Sequence, residues 1–239
     1  MTPDSTKIVL VMGPTGTGKT SFINAASKSD FPVSDDLNSC TKTVDETKPF
    51  IVGSHNVVLV DTPGLGHSHI EDLDVLRPIA EYLETAYSRN MQLSGIVYMH
   101  PFPDPRIEAT ARQYFRVFCK LWGVDNLKHV TVVLPPPNGI PNINGPKQHL
   151  IPSIFQPVVK AGGRIINHDF THGCTKDILR AIVARQSVVL KIQHELVDLK
   201  KSLRYTDAGA ALSSTRKEDE RSHRSKWKVH RLLPRLFGR

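Results

Sequence analysis

Eight consecutive residues near the start of the chain have the types and spacing of a phosphate-binding loop. Gly13-Pro-Thr-Gly-Thr-Gly-Lys-Thr20 fits the pattern G-x-x-x-x-G-K-S/T at every fixed position. The glycines let the backbone curl with its N–H groups facing inward, and the start of a helix adds positive potential. In this pattern Lys19 reaches the β- and γ-phosphates of a nucleotide, and the hydroxyl of Thr20 can bind Mg²⁺. The segment therefore predicts a site for a nucleoside triphosphate.

A second short motif can complete such a site from a neighbouring strand. Asp61-Thr-Pro-Gly64 follows the predicted strand 56–60 and lies 42 residues after Lys19. An aspartate at the end of a strand can support Mg²⁺, usually through a water molecule, and a glycine three residues later can donate its N–H to the γ-phosphate. Small-molecule kinases need no such glycine, so the pair of motifs favours a nucleotide switch over a kinase.

The sequence around these motifs predicts strands that alternate with helices. Lys7–Met12 is an apolar run typical of a strand buried on both faces, and a helical pattern extends from Lys19 to about Ser27. Such alternation indicates an α/β sheet covered on both faces, in which ligands bind beyond the carboxyl ends of the strands. Both motifs lie at strand ends of this kind. Further strands are predicted at 50–52, 56–60, 93–99, 129–134 and 163–167, and further helices at 70–88, 107–121 and 178–203.

Composition excludes several classes of protein. Of the 239 residues, 39% are hydrophobic, which is enough for a packed core and excludes a wholly disordered chain. No run of about eighteen apolar residues is present, so the sequence predicts no membrane-spanning helix. The cysteines Cys40, Cys119 and Cys174 match neither a zinc site nor a disulfide framework. We therefore expect a reducing, intracellular compartment such as the cytoplasm.

Positive charge is concentrated at the end of the chain. Residues 216–239 contain nine Lys and Arg against three Asp and Glu, and so carry +6 of the formal charge of +8. From Lys226 to Arg239, basic and large apolar residues are interleaved, a pattern compatible with an anionic membrane surface, with nucleic acid, or with a solvated tail. We expect a globular domain over 1–204, ending in a long amphipathic helix at 178–203, and a basic, disordered tail over 205–239.

The two phosphate motifs at this spacing resemble the P-loop GTPases of the TRAFAC class. Within that class the chain is similar to the septin, GIMAP and Toc-like branch and to G-domain proteins common in fungal genomes. Softer similarity over Ser39–Thr43, Met91–His100 and Gly162–Asp169 extends it to about residues 6–204. The resemblance implies a three-layer sandwich around about six mostly parallel strands, the second one antiparallel. It also implies GTP and GDP as ligands and Mg²⁺ as cofactor. A homodimer could form through the G domain or through the C-terminal helix, and we expect slow hydrolysis because of the residue that follows the second motif.

The resemblance also assigns residues to the site. A GTPase needs a threonine in its first switch segment, and Thr41 and Thr43 both qualify, with the family position favouring Thr41. Thr20, Thr41 and Asp61 are then the expected groups at Mg²⁺, while Lys19 and Thr41 are expected to take part in catalysis. The residues expected at the nucleotide are Gly13, Pro14, Thr15, Gly16, Thr17, Gly18, Lys19, Thr20, Ser21, Gly64 and Asn138.

Two positions depart from the GTPase pattern. The strand at 129–134 leads into Pro135-Pro-Pro-Asn138 instead of N/T-K-x-D, so Asn138 stands where guanine is normally recognised by an aspartate. An amide offers one acceptor and one donor and cannot accept both guanine hydrogen bonds, which leaves the choice between GTP and ATP open. Leu65 stands where many switch GTPases place a glutamine that orients water, with His67 and His69 as nearby substitutes. Two alternatives therefore remain: a non-hydrolysing binding or scaffold module, and a P-loop protein that uses ATP.

Overall fold

The computed structural model describes residues 6–33, 43–64, 72–100, 108–135, 153–168 and 171–213. Seven strands in these ranges form one sheet, in the spatial order β2-β4-β1-β5-β6-β7, with β3 also paired to β4. The strands β4, β1, β5, β6 and β7 are parallel to one another, whereas β2 and β3 run antiparallel to β4. Their bounds are β1 Lys7–Met12, β2 Asp45–Glu46, β3 Phe50–Val52, β4 His55–Asp61, β5 Gln92–Met99, β6 Val130–Leu134 and β7 Arg164–Asn167.

The two antiparallel pieces, β2 and β3, are successive parts of one interrupted edge strand. Thr47, between them, donates its backbone N–H to the carbonyl of Leu59 and accepts the N–H of Leu59 on its hydroxyl, at 2.9 and 3.0 Å. The side chain of Thr47 thus replaces a ladder hydrogen bond at the interruption. The sequence predicted a mostly parallel sheet of about six strands with one antiparallel strand, and this is confirmed. The antiparallel strand is divided into β2 and β3, which raises the number of strands to seven.

Helices cover both faces of the sheet. Along β1, Ile8, Leu10 and Met12 contribute to one buried cluster and Val9 and Val11 to the other, which explains the unbroken apolar run. Helices α1 and α5 pack on the second face, whereas α2, α3, α4 and the C-terminal segment pack on the first. The helices are α1 Lys19–Ser27, α2 Asp72–Ser88, α3 Glu108–Trp122, α4 Gln156–Lys160, α5 His172–Val183 and α6 Lys191–Gln193.

The prediction of one long amphipathic helix over 178–203 is wrong. Helix α5 ends at Val183, and the N–H of Val188 instead donates to the carbonyl of Leu93, at the amino end of β5, at 2.7 Å. Ile178 and Ile182 belong to one core, whereas Leu190 and Ile192 belong to the core on the opposite face. The chain therefore crosses the sheet past the amino ends of its strands.

The packed part of the chain continues beyond residue 204, where the expected domain ended. A π-helical turn, His194–Asp198, and a 3-10 turn, Leu203–Tyr205, lead into helical residues 207–213. Ala208 and Leu212 of this last segment are buried in the main core. The side chain of Glu195 holds the segment, because it accepts hydrogen bonds from the Lys201 ammonium at 2.8 Å and from the Asp207 N–H.

Among the described residues, no helix has both the length and the apolar character needed to cross a membrane. The rest of the predicted tail, residues 214–239, lies outside the described ranges.

Candidate functional site

The segment Gly13–Gly18 joins the carboxyl end of β1 to the start of α1. A side chain on Gly13 would place its Cβ 2.1 Å from the carbonyl oxygen of Met99, so only glycine allows the loop to pack this closely on β5. Gly18, at the N-cap of α1, has φ 84° and ψ 24° in the left-handed region and offers no side-chain acceptor to the helix. The first N–H groups of a helix have no partner within it, so those of α1 face the loop as donors for an anion.

Lys19 folds back across this loop. Its side chain is buried, and its ammonium donates to the carbonyl oxygens of Gly13 at 3.2 Å and Pro14 at 3.0 Å. The Thr17 hydroxyl donates to the same Pro14 carbonyl at 2.9 Å and fixes the curve of the loop. The ammonium is thus held over a ring of backbone groups, where its charge meets any phosphate that enters the loop.

Asp61 and Thr20 meet beside the loop. Parallel pairing places Asp61 of β4 opposite Val11 of β1, at the edge from which α1 begins. The Thr20 hydroxyl donates to Oδ2 of Asp61 at 2.8 Å, while the other oxygen, Oδ1, is buried and has no hydrogen-bond partner. Burial raises the pKa of the Asp61 carboxyl, against the opposing effects of the Thr20 hydrogen bond and the Lys19 charge.

This donor set suits Mg²⁺. The ion prefers oxygen ligands and keeps several waters, so one carboxylate and one hydroxyl next to the phosphates are enough protein ligands. An unpartnered buried carboxylate oxygen is costly, and a cation or its bound water would satisfy the free Oδ1 of Asp61. Within the described ranges, no group of three or more His, Cys, Asp and Glu forms a separate metal cluster.

The second motif touches the first at Gly64. A Cβ built on Gly64 would lie 2.2 Å from Oγ1, 2.7 Å from the backbone N and 2.9 Å from Cα of Thr15. The Thr62 hydroxyl donates to the carbonyl of Val11 at 2.9 Å and ties the start of the motif to β1. The backbone of Gly64 therefore lies directly against the phosphate loop.

Comparisons with known proteins agree with this architecture. The family model of 50S ribosome-binding GTPases matches residues 8–120. The fold is that of a P-loop GTPase domain. Comparison with curated protein sequences gave no match.

Solved structures of G domains share this fold at low sequence identity. Toc33 from Arabidopsis thaliana, in complex with Mg²⁺ and GMPPNP, matches with a TM-score of 0.57 and 14% identity over 78% of this chain and 88% of that chain. Its complex with GDP and Mg²⁺ gives a TM-score of 0.58 over the same shares, again at 14% identity. A third structure comes from work on dimerization in the GTPase activity of the chloroplast translocon components atToc33 and psToc159. It matches with a TM-score of 0.58 and 13% identity, over 75% of this chain and 82% of that chain.

The structure brings most residues expected at the nucleotide into one place. Gly13, Pro14, Thr15, Gly16, Thr17, Gly18, Lys19, Thr20 and Ser21 form the loop and the first turn of α1, with Asp61 and Gly64 beside them. Outside the described residues lie Thr41 and Asn138, together with Leu65, His67 and His69. Thr43, the alternative to Thr41, is described, and its hydroxyl donates to the Asp45 carboxylate at 3.2 Å.

Sequence reasoning missed two connections around the G domain's site. Asp45 of β2 pairs in register with Asp61, and its negative charge adds to the rise in the Asp61 pKa. The Tyr82 hydroxyl of α2 donates to the Glu46 carboxylate at 2.6 Å, which joins the helix after the second motif to the strand after the expected first switch. No spacing rule relates residues so far apart in the sequence, so only the fold reveals these contacts.

Proposed function

We propose that this G domain binds GTP with Mg²⁺ and hydrolyses it slowly to GDP and phosphate. The observation that carries the proposal is the contact of Thr20 with Asp61 beside Lys19, with one buried Asp61 oxygen left without a partner. A hydroxyl, a carboxylate and an ammonium in this arrangement suit a metal-bound triphosphate better than any other common ligand.

Each residue has a separate task in this proposal. The N–H groups of the loop and the first turn of α1 hold the phosphates, and the Lys19 ammonium neutralises the β- and γ-oxygens. Thr20 and Thr41 supply hydroxyl ligands to Mg²⁺, and Asp61 supports the ion through a bound water. When bound, Mg²⁺ neutralises charge on the phosphates during their transfer. The Gly64 N–H contacts the γ-phosphate and so distinguishes GTP from GDP.

A nucleotide-dependent switch follows from these roles. The γ-phosphate would hold Thr41 and Gly64, and its loss would release the segments 35–45 and 64–70. The contact between Tyr82 and Glu46 supports the idea, because it links the helix after one segment to the strand after the other. With Leu65 in place of a water-orienting glutamine, we expect slow intrinsic turnover.

Binding measured against Mg²⁺ concentration tests the metal site. The wild-type protein is titrated with a fluorescent GTP analogue at several Mg²⁺ concentrations, beside Asp61→Asn and Thr20→Val. Both variants should need more Mg²⁺ for half-maximal binding, since each removes an oxygen ligand or its charge. Ser213→Ala is a control, because the Ser213 hydroxyl donates to the Gly209 carbonyl within the C-terminal helical segment and forms no part of the site. Unchanged Mg²⁺ dependence in both site variants would contradict the assignment.

Two alternative functions stay open beside this one. Leu65 favours a non-hydrolysing module, which would retain GTP without releasing phosphate. The change from N/T-K-x-D to Pro135-Pro-Pro-Asn138 favours a protein without guanine selectivity, in which ATP would compete equally with GTP. A phosphate-release assay and a competition assay separate the three cases.

We also propose a homodimer and a place for the chain among G domains. Toc33 structures include a dimerization-deficient mutant, and dimerization is described as important for the GTPase activity of the chloroplast translocon components atToc33 and psToc159. A second copy meeting this chain at its nucleotide face would offer a route to faster hydrolysis. We further propose that the chain belongs to the septin, GIMAP and Toc-like branch, with relatives in fungi, as the resemblance of its motifs implies. The basic tail suits peripheral contact with an anionic membrane from the cytoplasmic side, and suits nucleic acid less well.

A further inference from the structure

A large cleft lies on the outer side of α3, away from the residues that form the nucleotide site. It has a volume of about 840 Å³ and is bounded by α3, the 3-10 turns Val124–His129 and Ser153–Phe155, α4 and the helical segment 207–213. We call it the α3 cleft. None of its lining residues belongs to the phosphate loop or to Asp61–Gly64. Its volume falls within the range of about 300–1,000 Å³ typical of small-molecule sites.

The walls of the α3 cleft are mostly apolar. Val124 in the wall is 68% exposed, which leaves apolar surface in contact with water. A purely polar ligand would leave this surface uncovered, whereas an alkyl chain would cover it. The apolar lining includes Phe115, Cys119, Val124, Leu127, Ile154 and Pro157.

One edge of the cleft is basic. Arg112, Arg116 and Lys120 line it at intervals of four residues, so they form a single exposed stripe along α3. The acidic residue of the lining, Asp207, is engaged by the Lys191 ammonium at 2.5 Å. Arg116 and Lys120 therefore present positive charge to a ligand along the α3 side, whereas Arg112 already interacts within the protein.

We propose that the α3 cleft binds a single-chain anionic amphiphile, a long-chain carboxylate, with its chain against the apolar walls and its headgroup at Arg116 and Lys120. Charge-assisted hydrogen bonds from guanidinium groups suit a carboxylate, which they can hold in a bidentate manner. The chain's own tail is a poor occupant, because residues 216–239 carry a net charge of +6, of the same sign as the stripe.

Calorimetric titration of the full-length protein tests this proposal. Octanoate, decanoate and dodecanoate are used below the concentrations at which they form micelles, beside dodecyltrimethylammonium as the cationic counterpart. We expect one carboxylate per chain, with affinity that rises about four-fold for each methylene buried. The cationic amphiphile should bind at least about ten-fold more weakly. No saturable binding of dodecanoate, or equal binding of the cationic amphiphile, would overturn the proposal.

Two cleft variants, each with a matched control variant, locate the binding. Arg116→Glu should weaken dodecanoate binding at least about ten-fold, since it turns an attraction into a repulsion. Arg89→Glu, exposed just beyond α2, makes the same change of charge outside the cleft and should leave affinity unchanged. Ala210→Trp should fill the cleft from an exposed position and abolish binding, whereas Thr85→Trp on the exposed face of α2 should not.

Thermal unfolding of all four variants should match the wild type and exclude misfolding as the cause of lost binding. If Arg116→Glu and Ala210→Trp both bound dodecanoate with wild-type affinity, the amphiphile would lie elsewhere and the assignment would be refuted. Self-association of the wild type that Ala210→Trp abolishes would identify a second copy as the occupant and would also overturn it.

Discussion

Gly64→Ala should separate the second motif from the phosphate loop. The new Cβ would lie 2.2 Å from the Thr15 hydroxyl oxygen, which can rotate away, but also 2.7 Å from the Thr15 backbone N and 2.9 Å from its Cα. Ordinary contact begins at 3.4 Å, so the two backbones must separate by about 0.7 Å at that nitrogen. The loop itself is fixed by Gly13 against Met99, and so the second motif is the part that must move.

The displacement should weaken the binding of GTP and leave the binding of GDP nearly unchanged. A hydrogen bond to a charged group contributes about 1.5–3 kcal/mol, so loss of the Gly64 contact should weaken GTP binding about 10- to 100-fold. GDP has no γ-phosphate, and its affinity should change by less than about two-fold. Competition titrations of both nucleotides against a fluorescent analogue, at saturating Mg²⁺, measure the two affinities.

Two further proteins make the test specific. Gly173→Ala, where a Cβ would meet nothing within 4 Å, is the matched glycine substitution and should bind both nucleotides as the wild type does. The double variant Thr15→Gly with Gly64→Ala should still be impaired, because the clash with the Thr15 backbone persists. An unchanged ratio of GTP to GDP affinity in Gly64→Ala would refute the reasoning.

Two other predictions concern the stability of the domain. Leu190→Ala should lower the free energy of unfolding by about 2–5 kcal/mol, because Leu190 is fully buried. Val189→Ala should lower it far less, since Val189 is 51% exposed. Urea denaturation of both variants measures the two losses, and equal losses would contradict the crossing of the sheet after α5. Burial lowers the pKa of His100 from its ordinary value of 6.5 to about 4, so below about pH 6.5 the unfolded chain binds a proton there that the folded domain refuses. As the pH is lowered from about 6.5 to about 4, the free energy of unfolding should therefore fall by up to about 1.4 kcal/mol per pH unit. His100→Leu should make the urea midpoint less dependent on pH across that window. The same pH dependence in both proteins would show that other groups cause it.

The elements that position the site could be predicted from the sequence because their signals are local. The apolar run Lys7–Met12, followed at once by glycines and a lysine, specifies a buried strand, a phosphate loop and a helix within twenty residues of one another. Asp61 and Gly64 were predictable because parallel pairing places the ends of β1 and β4 side by side. In these cases a short stretch of chain determines both the structure and its place at the sheet edge.

The C-terminal region could not be predicted because its apolar spacing is misleading. Ile178, Ile182 and Ile192 recur at roughly helical intervals, yet the first two face one core and the third faces the other. Helix α5 ends at Val183, and the chain is then fixed to the amino end of β5 by a hydrogen bond between Val188 and Leu93, which are nearly a hundred residues apart in the sequence. Periodicity records which residues are buried and carries no information about which of two cores buries them.

Direct binding of GTP and ATP to the wild-type protein and to Lys19→Ala, in the presence of Mg²⁺, tests the central claim. We expect saturable binding of GTP to the wild type and its loss in Lys19→Ala, because the ammonium held over the loop would neutralise the phosphate oxygens. Weak competition by ATP would show that guanine is read without N/T-K-x-D, and equal competition would support the alternative without guanine selectivity. Absence of nucleotide binding to the folded wild-type protein would contradict the account.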